Sequence, residues 1–260
     1  MLLQQKSSRP ANWPAHMRHS ALFTLFTGLP AAFCLAIALA LSALALSSPA
    51  QAQTSLSAEN KALLTKAQAG DANAQFELAE AYDFARGAPQ NTQEALRWYK
   101  AAAALGLPAA QNSAGSMLLG QRKFAEALGW FEKAAAQENV QSINSLAYLY
   151  DTGQGVKQDR SKSLALYTKA ANLGWAESMW NLANMYGVGI EGEKPDYVNS
   201  CTWTIRAAKH LLDPGSQVLA NIQKALPIFE KLLSPAQQET CRKQGEEWSP
   251  PGLGEVRKGN

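Results

Sequence analysis

An internal repeat constrains the fold of this chain more than any other feature of its sequence. A constant offset of 68 residues superposes the segment 74–106 on the segment 142–174. The matching pairs are Leu78 with Leu146, Ala79 with Ala147, Tyr82 with Tyr150, Gly87 with Gly155, Asn91 with Asp159, Tyr99 with Tyr167, Ala102 with Ala170 and Gly106 with Gly174. A shortened copy lies between these segments and a fourth copy follows them, so that the equivalent positions 78, 114, 146 and 182 are spaced by 36, 32 and 36 residues. A period of this size is typical of solenoid proteins.

Each copy contains two stretches with helical spacing. In the first copy, Ala74, Leu78 and Tyr82 recur at helical spacing, and a second such stretch ends at Gly106, a residue type that commonly terminates helices. Alanines at contact positions let helices approach closely, while tyrosine and tryptophan fill the spaces between layers. One hairpin cannot bury its apolar face alone, whereas stacked hairpins can. The sequence therefore predicts an all-α fold, an α/α solenoid of about four helical hairpins with capping helices at both ends.

The third copy carries a family resemblance. Its sequence LAYLYDTGQGVKQDRSKSLALYTKAANLG, residues 146–174, follows the layout L-x-x-x-Y-x-x-G-x-G-V-x-x-D-x-x-K-[AS]-x-x-x-Y-x-K-A-A-x-x-G. This layout resembles the Sel1-like repeats, which are relatives of the tetratricopeptide repeats, and the resemblance extends over residues 71–210. It implies a helical interaction scaffold, and such repeats serve many different roles.

The repeat pattern divides the chain into segments. We expect a leader at 1–52, an N-terminal capping helix within 53–70, repeats at 71–106, 107–138 (the short copy), 139–174 and 175–211, a degenerate repeat with a C-terminal cap at 212–248, and a disordered tail at 249–260. Within the cap, Pro214 at a first-turn position predicts a helix over 213–226. Ser234 and Pro235 predict a second helix over 234–248.

Residues 1–52 have the pattern of a targeting segment. They contain three basic residues and no acidic one, and an apolar Leu/Ala stretch at 21–46 precedes Ala50-Gln51-Ala52. An A-x-A sequence is typical of signal peptide cleavage sites, so we predict cleavage after Ala52 and a periplasmic or secreted location. An uncleaved anchor is the alternative, because the apolar stretch approaches the length that spans a bilayer. In that case the protein would contact the membrane through this segment alone. Met17, followed by Arg18, is an alternative start that would shorten the leader.

The charges and cysteines after residue 52 narrow the functional classes. This part carries 21 basic and 21 acidic residues, a balance that gives no reason to expect nucleic acid as a partner. Its two cysteines, Cys201 and Cys241, predict one disulfide in an oxidising compartment, and two buried free thiols are the alternative. We expect no metal site, because two cysteines and the distant His210 are a poor ligand set. Nothing in the sequence calls for a cofactor.

Short motifs in two of the helix connections imitate catalytic sequences. Gly153-Gln154-Gly155 resembles part of a phosphate loop, but no strand pattern precedes it, so we predict a turn with Asp159 capping the next helix. Asp151-Thr152-Gly153 lacks the second copy that an aspartic protease requires. Gly187–Gly192 spells GxGxxG without a βαβ unit around it.

No catalytic residue is predicted. The resemblance implies β-lactam binding for some secreted relatives, but the chain contains no Ser-x-x-Lys motif. His210 lies at the end of a predicted helix, where interaction with the helix dipole accounts for it.

The face formed by the first helix of each hairpin, expected to be concave, is the predicted partner site. Asparagine side chains there can bond both the N–H and the C=O groups of an extended peptide, and exposed aromatic residues are strong anchors. The predicted partner-binding residues are Asn112, Asn144, Tyr148, Trp180, Asn181 and Asn184. The alternatives are that the asparagines are merely solvated and that Tyr148 and Trp180 belong to the core.

These observations together predict a non-catalytic adaptor or regulator that binds another envelope protein or an extended peptide in the periplasm. The resemblance implies roles of this kind, including regulation of envelope sensors and scaffolding of polysaccharide export. Two alternatives stay open. One is a protein that binds or hydrolyses peptidoglycan or β-lactams, and the other is a secreted factor that acts on host proteins.

Overall fold

The structure, a computed structural model, describes residues 56–211 and 215–250. These residues form eleven α-helices and no β-strand. The helices are α1 (Ala58–Gln68), α2 (Ala72–Asp83), α3 (Thr92–Ala104), α4 (Pro108–Gly120), α5 (Phe124–Ala136), α6 (Val140–Thr152), α7 (Arg160–Asn172), α8 (Ala176–Val188), α9 (Tyr197–His210), α10 (Gln217–Leu232) and α11 (Pro235–Glu247). The predicted leader, its cleavage site at Ala52 and residues 251–260 of the predicted tail lie outside the described residues.

The helices form a stack of hairpins. α2 packs on α3, α4 on α5, α6 on α7 and α8 on α9, and the second helix of each hairpin also packs on the first helix of the next. We call α2, α4, α6 and α8 the first helices, and α3, α5, α7 and α9 the second helices. The predicted all-α solenoid of four hairpins is thus confirmed.

The helix ends follow from local sequence. The side chain of Asn91 accepts hydrogen bonds from the backbone N–H groups of Gln93 and Glu94, and Asp159 accepts one from Lys162. These caps satisfy backbone donors that have no partner inside the helix. Gly153 ends α6 in the left-handed conformation, with φ 70°. The glycine-rich stretch after Tyr150 is therefore the predicted turn between two helices.

Small residues on the first helices face large rings on the second helices. The equivalent positions on the four first helices are Ala79, Gly115, Ala147 and Ala183, all of them buried. Opposite them lie the buried rings of Tyr99, Phe131 and Tyr167. A Cβ atom at Gly115 would lie 2.7 Å from the Phe131 ring. The small residues thus allow the two helices of a hairpin to approach until the rings fill the space between them.

α1 occupies the place that a second helix has elsewhere in the stack. A Cβ atom on Gly155 would lie 2.6 Å from the backbone of Phe124, at the start of α5. The equivalent Gly87 approaches Ser57 in the same way, and the Ser57 N–H donates to its carbonyl oxygen at 2.8 Å. The side chain of Asn60 reinforces this contact by donating to the carbonyl of Arg86 at 2.7 Å. The predicted N-terminal capping helix therefore covers the exposed end of the first repeat.

The C-terminal cap differs from the prediction at one helix start. α10 begins at Gln217, because the Ser216 hydroxyl accepts the N–H of Leu219 and so caps the first turn. The prediction that Pro214 opens this helix was wrong. The helix also continues past 226, through Pro227, to Leu232. The predicted start of the last helix is confirmed, since Ser234 forms a capping box with Gln237.

The last helix is fastened to the fourth repeat. A disulfide joins Cys201 on α9 to Cys241 on α11, with the Cα atoms 5.8 Å apart. A Cβ atom on Gly245 would lie 2.7 Å from the Ile205 side chain, so the two helices are in close contact. Lys209 Nζ donates to the carbonyl of Glu246 at 2.6 Å and thereby supplies a cation to the C-terminus of α11.

Candidate interaction surface

The outward side of the first helices carries four sets of equivalent positions. The sets are Asn73, Ala109, Gln141 and Glu177; Phe76, Asn112, Asn144 and Trp180; Glu77, Ser113, Ser145 and Asn181; and Glu80, Ser116, Tyr148 and Asn184. All of these side chains are exposed or half-buried, and we call them together the first-helix face. The face contains all six residues predicted to bind a partner.

Two of the predicted residues bond to the next repeat. The Asn112 Oδ1 atom accepts from the Ser142 hydroxyl at 2.9 Å, and its Nδ2 donates to Gln141 at 3.0 Å. The Oδ1 atom of Asn144 accepts from the Ser178 hydroxyl at 2.7 Å and from Asn181 Nδ2 at 3.1 Å. Three of the four predicted asparagines, Asn112, Asn144 and Asn181, therefore take part in bonds that join neighbouring first helices.

The remaining predicted residues differ in accessibility. Tyr148 is 39% exposed, and its hydroxyl receives a hydrogen bond of 3.4 Å from Gln154. Asn184 is exposed as well. Trp180 is half-buried and packs against the core around α8 and α9. Tyr148 and Asn184 are thus the predicted residues most accessible to a partner, and Trp180 belongs partly to the core.

Charge is divided between the two sides of the stack, a feature that the sequence analysis missed. None of the four first helices contains a lysine or an arginine, whereas every second helix contains at least one. The charged residues of the first-helix face are Glu77, Glu80 and Glu177, and the face positions on α4 and α6 are uncharged. The absence of basic residues from the first helices is visible in the sequence when the four copies are compared position by position.

On the second-helix side, cations lie against aromatic rings. The Arg97 guanidinium lies 4.3 Å from the centre of the Trp98 ring, and Lys133 Nζ lies 4.4 Å from that of Trp130. Arg206 is placed between Trp203 and Trp248, and its removal from water lowers its pKa. These contacts stabilise the cations at the protein surface. A shallow groove of about 350 Å³ is lined by Lys100, Ala125, Glu126, Gly129, Trp130 and Lys133.

The titratable groups that could suggest catalysis have structural roles in the described part of the chain. The Asp151 carboxylate accepts from Arg160 Nε at 3.1 Å, and Arg160 also donates to the carbonyl of Gly189 in the next repeat. Burial raises the pKa values of the Tyr99 and Tyr167 hydroxyls, which lie in the core and stay neutral. The His210 ring lies edge-on to Trp248, with ring centres 5.5 Å apart.

The described part of the chain has neither a cluster of metal ligands nor a membrane-spanning helix. Residues 56–211 and 215–250 contain no group of three histidine, cysteine or carboxylate side chains that could hold a metal ion. Within the same residues, no helix combines the length and the apolar character needed to cross a bilayer.

Comparison with known proteins agrees with the repeat structure. The family model described as Sel1 repeat matches residues 72–107, 108–139, 140–175 and 176–210, which together are more than half of the chain. One similar solved structure is that of c5321, a protective antigen of uropathogenic Escherichia coli with an SLR fold. The similarity covers 77% of this chain and 43% of that chain, with 25% sequence identity and a TM-score of 0.65. A Sel1 repeat protein from Oxalobacter formigenes covers 78% of this chain at 24% identity and a TM-score of 0.55, which shows the shared fold alone.

Two curated relatives are similar in sequence. Chitin synthase regulatory factor 3 of Schizosaccharomyces pombe is 34% identical over 111 residues, or 43% of this chain. Protein NMB1327 of Neisseria meningitidis is 34% identical over 173 residues, or 66% of this chain. The chain spans only 12% and 34% of the lengths of these relatives.

Proposed function

The chain belongs to the Sel1 repeat family, and on that premise we propose that it is a non-catalytic adaptor that binds another protein in the periplasm or after secretion. Sel1 repeat proteins are generally interaction scaffolds without catalytic activity, and their fold generally mediates protein–protein interaction. The finer proposal concerns the surface that binds, the compartment and the class of partner. The partner is another envelope protein, or an extended segment of one.

The accessible first-helix face is the observation that carries this proposal. It crosses four neighbouring helices and presents uncharged polar groups together with the exposed ring of Tyr148. Aromatic side chains dominate the energetics of many interfaces, and amide side chains hydrogen-bond to peptide groups of any sequence. The inter-repeat bonds of Asn112 and Asn144 hold these side chains in place before a partner arrives. Preorganisation of this kind lowers the entropic cost of binding.

The leader sequence and the cysteines support a location outside the cytoplasm. Residues 1–52 have the basic, apolar and A-x-A regions of a signal peptide. The pairing of Cys201 with Cys241 suits an oxidising compartment, because cytosolic proteins seldom retain disulfides. The name of the similar E. coli protein, a protective antigen, is consistent with exposure outside the cell, and that of the yeast relative with a regulatory role.

In-cell cross-linking followed by affinity capture tests the proposed function. The tagged full-length protein would be cross-linked in its own cells, purified from the envelope fraction and analysed by mass spectrometry. The test variant combines Tyr148→Ala with Asn184→Ala, because both side chains are accessible and neither bonds to a neighbouring repeat. We expect one dominant envelope protein to be captured by the wild type and lost in this variant.

The matched control is Tyr197→Ala on the second helix α9, where the tyrosine is 36% exposed. It removes a ring of similar exposure that lies outside the first-helix face and should leave capture unchanged. Equal loss in both variants, or retention in both, contradicts binding through the first-helix face. Recovery of the protein with its leader intact from the cytoplasm would contradict the proposed compartment. Circular dichroism of both variants checks that the helical content is unchanged.

A further inference from the structure

The carboxylates of α2 have an unfavourable arrangement that the rest of the described structure offsets only in part. Glu77 and Glu80 are three residues apart on the same side of the helix, and like charges at this spacing destabilise a helix. Asp83 adds a third negative charge at the C-terminus of α2, where the helix dipole opposes it and the Tyr99 hydroxyl donates a long hydrogen bond of 3.5 Å to it. Among the described residues, only Arg86 lies within salt-bridge distance of these three carboxylates. It is 4.0 Å from Glu80, and its side chain is 67% exposed. Local arrangements that cost stability and are only weakly compensated within the protein point to a function.

The neighbouring first helices lack any positive charge that could balance the carboxylates of α2. The face positions on α4 and α6 are occupied by alanine, glutamine, asparagine, serine and tyrosine. Lysine and arginine are absent from α2, α4, α6 and α8 alike. An acidic segment lying across these helices would find no counter-charge, whereas a basic residue above α2 would meet the carboxylates of the exposed Glu77 and the half-buried Glu80.

The spacing of the helices sets the length of a segment that fits. Neighbouring first helices are in direct side-chain contact, as the bond between Asn144 and Ser178 shows. Their backbones make few close contacts, so their axes lie at least about 10 Å apart and the three steps from α2 to α8 span about 30 Å. At about 3.3 Å per residue, an extended peptide of about nine residues crosses the face.

We infer that the first-helix face takes an extended peptide segment of about nine residues that is uncharged in its centre and carries lysine or arginine at the end that lies over Glu77 and Glu80. Opposite charges at one end fix the direction of the peptide, while uncharged groups over α4 and α6 bond to its backbone. The inference rests on the proposed function and adds to it the chemistry and the orientation of the bound segment.

Selection from a library of random nonapeptides displayed on phage tests the inference with the purified full chain. The charge-reversal variant is Glu77→Lys with Glu80→Lys. Its matched control is Glu126→Lys with Glu132→Lys, which makes the same change in net charge on the second helix α5, where both glutamates are exposed. A third variant, Tyr148→Ala, reports whether selected peptides bind at the first-helix face.

The wild type and the α5 control should both select peptides with lysine or arginine near one end and uncharged residues in the centre. The reversed variant should lose that preference and bind the selected peptides about tenfold more weakly, as expected when two surface ion pairs are lost. The affinity of the wild type should fall with increasing salt. Circular dichroism confirms that each variant is folded.

Different results would overturn this inference and the proposed function. Selected peptides that depend on Tyr148 but lack a terminal basic residue, or keep one with the reversed variant, overturn the inference and leave the proposed surface intact. If no peptide is selected, or if binding ignores Tyr148→Ala, the inference and the use of the first-helix face for extended peptides both fail.

Discussion

The amide oxygen of Asn144 accepts a hydrogen bond of 2.7 Å from the hydroxyl of Ser178, and Asn112 accepts one of 2.9 Å from Ser142 one repeat earlier. The two pairs occupy equivalent positions in successive repeats. The bond therefore recurs between α4 and α6 and between α6 and α8, whereas α2 carries Phe76 at the equivalent position. It fixes the register of neighbouring first helices, and with it the spacing of the groups that face a partner.

Removing this bond should destabilise the stack. Asn144→Ala leaves the buried hydroxyl of Ser178 and the half-buried amide of Asn181 without their acceptor, and we expect a loss of about 1–2 kcal/mol in the free energy of unfolding. A double-mutant cycle with Ser178→Ala, followed by urea denaturation, should give a coupling energy of about 1 kcal/mol. Asn184→Ala is the control, with an expected change below about 0.5 kcal/mol. Additive effects of the two substitutions would show that the bond contributes nothing to stability.

The same substitution should have opposite effects at two glycines of one hairpin. A Cβ atom on Gly115 would overlap the Phe131 ring, so Gly115→Ala should cost about 1–3 kcal/mol of stability. A Cβ atom on Gly129, inside α5, would meet nothing within 4 Å. Gly129→Ala should therefore stabilise the protein by up to about 1 kcal/mol, because alanine favours the helix. Thermal unfolding followed by circular dichroism checks both signs, and equal shifts would contradict the predicted packing.

Loss of the disulfide should loosen the C-terminal cap. Cys201 and Cys241 are 40 residues apart, and the chain-entropy model assigns about 4 kcal/mol to a loop of this size. Cys241→Ser should lower stability by up to this amount and should raise amide hydrogen exchange in α11 more than in α2. The wild type treated with a reductant should behave in the same way. Detection of two reactive thiols in the unfolded, unreduced protein would rule out the bond.

Alkaline pH should unfold the protein through its buried tyrosines. Burial raises the pKa values of Tyr99 and Tyr167, so the folded state disfavours their ionisation. The contribution of these two tyrosines to the free energy of unfolding is fully present below the pKa of an unfolded tyrosine, about 10. This contribution is lost as the pH rises above that value. The urea midpoint should therefore fall between pH 10 and 11 in the wild type. The variant Tyr99→Phe with Tyr167→Phe should show a weaker fall, and an identical pH profile for both proteins would contradict this account.

The sequence by itself determined the elements of the fold. The period of the repeat, the capping roles of Asn91, Asp159 and Ser234 and the turn at Gly153 follow from residues close together along the chain. Helix caps and positive φ angles depend on neighbours within about four residues, and therefore a single copy of the repeat already contains the information. The start of α10 was misplaced because two helix-start signals, Pro214 and Ser216, lie close together and only one of them caps the helix.

The tertiary structure decided which side chains of the first-helix face remain accessible. Asn112, Asn144 and Asn184 look alike in sequence, but the first two bond to residues 29–37 positions away and the third stays exposed. Trp180 lies partly at the surface and partly in the core, because α8 packs on α9. These outcomes depend on the lateral register of helices from different repeats, which the pattern within one repeat does not specify. The same register brings the uncharged positions of α4 and α6 between the carboxylates of α2 and α8, and so creates the surface proposed to bind a partner.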